Sequence, residues 1–133
     1  MTSAKWIAGS AVLLTTFVAG VAVGAQQAAA NATRREPQFE NSEVQVWKSI
    51  VMPSSPLAMH RHEHGRALIT LNGGQLDVVD KSGKTMNTLK LEKGRAYWLD
   101  RDEPNTEHAD VNRGKEPVEV IVVQLKNDKP IVK

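Results

Sequence analysis

The strongest constraint on the fold is a succession of short apolar alternations between Ser42 and Leu125, each bounded by a turn signal, with no apolar stripe at helical spacing. "EVQVWKSIV" sets Val44, Val46 and Ile50 on one face of a strand. "RALITLN" closes on Asn72-Gly73-Gly74, and "QLDVVD" places Leu76 and Val78 together. "KSGK" then reads as a hairpin turn leading into "TMNTLKLE", which Lys93-Gly94 ends. "RAYWLD" and "EHADVN" are two further short strands, with turns at "RDEPN" and "RGKEP". "VEVIVVQL" is apolar on both faces and predicts a central or covered strand. The pattern is all-β, a sandwich or small barrel in which closing or doubling the sheet protects its edges.

The first 32 residues follow another rule. Trp6 to Ala25 carries no charge, a single lysine precedes it, and small residues follow at Val23-Gly24-Ala25, Ala28-Ala29-Ala30 and Ala30-Asn31-Ala32. That order predicts a signal peptide over residues 1–32 and a periplasmic or secreted protein. The rival reading keeps the apolar run as an N-terminal membrane anchor, again with the domain outside the cytoplasm. Residues 33–41 lack apolar periodicity and read as a mobile segment, leaving 42–133 as the folded domain. A net charge of +2, with the basic residues spread along the chain, argues against nucleic acid as a partner. With no cysteine there are no disulfides, thiolate metal sites or thiol nucleophiles.

Three of the four histidines, His60, His62 and His64, stand at alternate positions in "MHRHEHG". On a strand they share a face, with Arg61 and Glu63 on the other. Two imidazoles so placed chelate an ion if a third ligand arrives from a neighbouring strand. The fourth histidine, His108, lies in "PNTEHADVN". Imidazole suits Fe, Zn, Mn and Ni alike, so the donors define a divalent metal ion without naming it.

Taken together, these segments resemble the two motifs of the cupins, β-barrel or jelly-roll proteins. His60-Arg61-His62 matches the H-x-H of the first motif, with Gly73 or Gly74 at its closing glycine. His108-Ala109-Asp110-Val111-Asn112 matches the H-x-x-x-N of the second, with Gly94 and Pro104 upstream. The resemblance covers roughly Ser42 to Lys126 and implies His60, His62 and His108 as metal ligands, with Asn112 structural. Two departures matter. Arg66 or Ala67 stands where the first motif carries glutamate, and the proline motif is one residue short before His108. The site is then a three-histidine centre, a centre completed by His64 or Asp110, or a pocket for an organic ligand without metal. Asp110 shares a strand face with His108 and Asn112.

Candidate pocket residues are His64, Arg66, Tyr97 and Asp110. Arg66 either lines the pocket and pairs with a carboxylate or points outward beyond a bulge at Gly65. Trp98 reads as core, Trp47 as an edge or interface residue, Glu63 as solvent-facing, and the Asp100–Glu103 run as a solvated loop. Two functions follow from the resemblance. One is an exported metal-dependent oxygenase of the dioxygenase kind, acting on a small oxygen-bearing or carboxylate compound. The other is a non-catalytic binding or sensor protein for a small molecule or metal. A homodimer paired through the extra apolar face of "VEVIVVQL" is expected.

Overall fold

The computed structural model describes residues 30–129, so the apolar segment of the expected signal peptide lies outside the described residues. Eight strands form in this region: β1 Arg34–Glu40, β2 Val44–Val51, β3 Arg66–Asn72, β4 Gly74–Val79, β5 Thr85–Leu91, β6 Ala96–Leu99, β7 Ala109–Asn112 and β8 Val118–Leu125. Seven of them fall where the apolar alternation put them. They build a five-stranded sheet in the order β1-β2-β8-β3-β6 and a three-stranded sheet in the order β5-β4-β7. All pairings between these strands are antiparallel.

β8 is central, as its two apolar faces require, running from Val118 opposite Val51 to Leu125 opposite Val44. Its alternate residues Val118, Val120 and Val122 are buried together with Trp47, Val51 and Leu68 of the large sheet and Leu76 and Leu91 of the small one. The two inner faces therefore form one core, the arrangement of a sandwich closed into a small barrel.

The KSGK turn is observed as expected. Gly83 has φ of 82°, a left-handed conformation that costs glycine little. Gly74 serves a different need. A Cβ there would meet Val118 Cγ2 at 2.6 Å, so the absent side chain lets β4 close onto β8.

The sequence expectation fails at residues 33–41, which are not a mobile segment but contain β1. This strand pairs with β2 from Arg34 opposite Ile50 to Glu40 opposite Gln45, with a register shift between Pro37 and Phe39. It is an edge strand, where a proline is tolerated. Its side chains are mostly exposed, so backbone pairing rather than an apolar face holds it. Thr33 anchors the start: its hydroxyl accepts from the Met52 N–H at 2.8 Å and donates to the Ser55 carbonyl.

A three-histidine candidate metal centre

His60 and His62 do not lie on a strand. They occupy the connection between β2 and β3, a stretch interrupted by Pro53 and Pro56, which supply no N–H to a ladder. One antiparallel bridge secures it: the His60 N–H donates to the His108 carbonyl at 2.8 Å, and the His108 N–H to the His60 carbonyl at 2.9 Å. His108 itself directly precedes β7.

The rings converge. Centroids are 4.8 Å apart for His60 and His62, 4.5 Å for His60 and His108, and 5.6 Å for His62 and His108. One ring nitrogen from each lies within 4.8 Å of the others, so the three can hold a metal ion. His64 stands apart. Its Nδ1 is 2.6 Å from Asp128 Oδ1, an ion pair when the ring is protonated, and it does not line the central cavity.

The outer nitrogens are already engaged. His60 Nδ1 is 2.7 Å from the Ala58 carbonyl and His62 Nδ1 is 3.1 Å from Gln124 Oε1. His108 Nδ1 is 3.5 Å from Asp102 Oδ2, long for a hydrogen bond but oriented by charge. A carbonyl can only accept, so His60 carries its proton on Nδ1, leaving a lone pair on Nε2 when the ring is neutral. That His60 Nε2 is buried and has no hydrogen-bond partner. Outer acceptors that fix the tautomer of inward-facing imidazoles are the usual surroundings of metal-binding histidines, and on this observation the residues fit a divalent ion.

Burial favours the neutral form of two of the rings. Burial, helped by the nearby Arg66 guanidinium, holds His62 down to about 3. Burial likewise lowers His60. Neutral imidazole is the ligating form.

Beside the histidines a cavity of about 310 Å³ opens between the two sheets, with Trp47, Leu68, Leu76, Val120 and Val122 on its walls. His62, His108, Arg66 and Asp110 also line it. Arg66 is only 6% exposed and donates to the Asp100 carbonyl at 3.1 Å, so it points inward and not to solvent. Tyr97 does not line the cavity: it packs against the core, and its hydroxyl accepts from the Glu92 N–H at 2.9 Å. The tryptophans exchange their expected places. Trp47 is buried in the core, whereas Trp98 is 54% exposed, its ring over Gly65 and its Nε1–H donating to Asp100 at 2.8 Å.

Sequence reasoning missed four residues around the site. Asp102, within the run expected to be merely solvated, accepts the His62 N–H at 2.6 Å. Gln124 meets His62 from the end of β8. Asp128 takes the Gly65 N–H at 2.9 Å and Arg101 at 3.1 Å, fixing the chain between the histidines and β3. Arg35 of β1 lines the cavity and lies over the Trp47 ring at 5.1 Å. None of the four belongs to a motif, and only their polarity beside apolar strands could have marked them.

Solved structures with the same architecture include cupin domains. The fold is that of the cupins. A cupin domain from Bordetella pertussis Tohama I superposes with a TM-score of 0.62 at 20% identity, over 72% of this chain and 95% of that one. A conserved protein with a double-stranded β-helix domain from Klebsiella pneumoniae gives 0.52 at 22% identity, over 71% and 76%. A cupin family protein from Methanocaldococcus jannaschii gives 0.54 at 15% identity, over 71% and 81%. At these identities the likeness is one of fold. No family model matches the sequence, and no curated protein does. Two of the three histidines, His62 and His108, line the inter-sheet cavity, and function is left to be argued from the site itself.

Proposed function

We propose that the protein is an exported, metal-dependent cupin enzyme of the oxygenase kind, acting on a small carboxylate or other oxygen-bearing compound. The observation that carries this reading is the buried, partnerless Nε2 of His60, converging with His62 and His108 while their outer nitrogens are held from behind. A divalent ion held there would supply Lewis-acid polarisation of an anionic ligand and, for a redox-active metal, the reactivity with O2.

The chain's own residues do the rest. Ala58, Gln124 and Asp102 orient the imidazoles. The apolar walls take the body of the substrate and exclude water, and about 310 Å³ restricts it to a small molecule. Arg66 supplies an inward guanidinium that makes a single hydrogen bond among the described residues, which suits a carboxylate. Export to the periplasm or medium follows from the N-terminal sequence, and a homodimer belongs to the same reading.

The test is metal content. Elemental analysis of the purified mature domain should show a transition metal near one per chain, and His60→Ala and His108→Ala should each lower it at least ten-fold. Unchanged metal content in both variants overturns the site. An Fe(II)-loaded sample should consume O2 with a member of a panel of diketones, thiols and phenolic acids. Metal binding with no O2 consumption across the panel would instead favour a binding or sensor protein. Mass spectrometry of the exported chain reads the cleavage site, and gel filtration reads the dimer.

A further inference from the structure

The first cupin motif of this chain lacks its glutamate, yet a carboxylate stands beside the histidines from another strand. Asp110 Oδ2 lies 3.8 Å from His60 Nε2. The Asp110 side chain is 16% exposed and lines the cavity. No hydrogen bond to its carboxylate is formed among the described residues. The cations that act on it through space, Arg35 and Arg66, make no ion pair with it.

The contact is therefore one lone pair facing another. His60 donates from Nδ1 to the Ala58 carbonyl, so its Nε2 presents a lone pair to a carboxylate that also has only lone pairs to offer. Two buried acceptors facing each other repel unless a cation lies between them. At 3.8 Å the two atoms are beyond hydrogen-bond distance, so they do not share a proton. Asp102, the other nearby carboxylate, is placed differently. It takes the His62 backbone N–H and faces the outer nitrogen of His108, so it lies behind the rings.

We propose that Asp110 is the fourth protein ligand of the metal, in place of the glutamate that the first motif lacks. The proposal rests on the three-histidine reading above. It moves the single anionic ligand from the first motif to β7, two residues after His108 on the same strand face. It also lowers the net charge of the centre from +2 to +1 for a divalent ion, while leaving coordination positions open for an octahedral metal.

The experiment is a chelator-competition titration of the purified, metal-stripped domain with Zn(II) and Co(II), comparing wild type, Asp110→Asn and Glu63→Gln. Asp110→Asn should weaken both metals at least ten-fold and change the Co(II) d–d absorption spectrum. Glu63→Gln, exposed on the same connection, should do neither. Asp110→Asn with wild-type affinity and an unchanged Co(II) spectrum overturns the proposal and leaves the three histidines standing. A wild-type domain that takes up neither metal overturns the reading beneath it. A crystal structure of the Co(II)-loaded wild type needs no variant to fold: an Asp110 oxygen about 2.0–2.2 Å from the ion supports the proposal, and one beyond hydrogen-bond distance refutes it.

Discussion

The two ends of the barrel are built on opposite principles. At one end Val51, Val118, Thr70 and Asn112 are the largest fully buried side chains of the described residues. Asn112 ties the sheets together there, donating to the Val51 carbonyl at 2.9 Å and the Glu116 carbonyl at 2.8 Å and accepting from the Gly114 N–H at 2.8 Å. At the other end lie His60, His62, His108, Arg66, Asp102 and Asp110, polar groups that are buried or half-buried but only partly satisfied by protein. Buried polar groups stabilise a fold when every partner is present and cost stability when one is missing. The closed end holds the barrel together, and the open end gives up some of that stability for a site.

This contrast breaks most sharply at Asn112. Asn112→Ala removes three hydrogen bonds, one buried and two partly buried, and leaves two carbonyls and an N–H to find other partners, which should lower stability by about 3 kcal/mol in urea unfolding. Metal affinity per folded molecule should stay unchanged. A fall in affinity as large as that of a histidine variant would show that the two ends are not independent.

A smaller effect is expected at Asp128, which fixes the polar end from outside. The Gly65 N–H, and then His64, hold its carboxyl below the usual carboxylate range. A carboxylate depressed in the folded state stabilises above its unfolded pKa, about 3.9, and loses that contribution as pH falls toward its folded value. The Tm difference between wild type and Asp128→Asn should therefore be present at neutral pH and shrink as the solution is acidified below about pH 4. A difference that is constant with pH would mean that Asp128 acts by shape and not by charge.

The smallest effect concerns an exception within the closed end. Thr70 Oγ1 is buried without a partner. Thr70→Val removes that hydroxyl in a nearly isosteric way and should leave stability within about 1 kcal/mol of wild type, on the stabilising side. A clear loss of Tm would show that the hydroxyl does have a partner, most simply an ordered water.

The difference between the two ends also explains what the sequence could reveal. Apolar alternation locates β2 to β8 because those strands bury one face or two, and the core residues follow from the same periodicity. β1 escaped because its residues, "RREPQFE", are mostly exposed and its pairing is a property of the backbone of β2. In β6 the four residues are too few to set the phase, so Tyr97 and Trp98 were assigned to the wrong sides. The histidine spacing pointed to the trio whose rings converge, for a partly wrong reason. His60-Arg61-His62 alternates because the segment is extended, although it belongs to a connection and not to a strand. The surrounding acceptors Ala58, Gln124 and Asp102 come from three places in the chain, and no spacing rule connects them.

The reciprocal backbone bridge between His60 and His108 has a kinetic consequence. The two residues are far apart in the chain, with β3, β4, β5 and β6 between them. Closing so long a loop is slow, and contacts of this kind form late on the folding path. Metal added during refolding should then leave the folding rate unchanged and appear as slower unfolding, because an interaction absent from the transition state acts only on the reverse step. The barrel would be a container completed before it is filled, its occupant acting as a lock rather than a template.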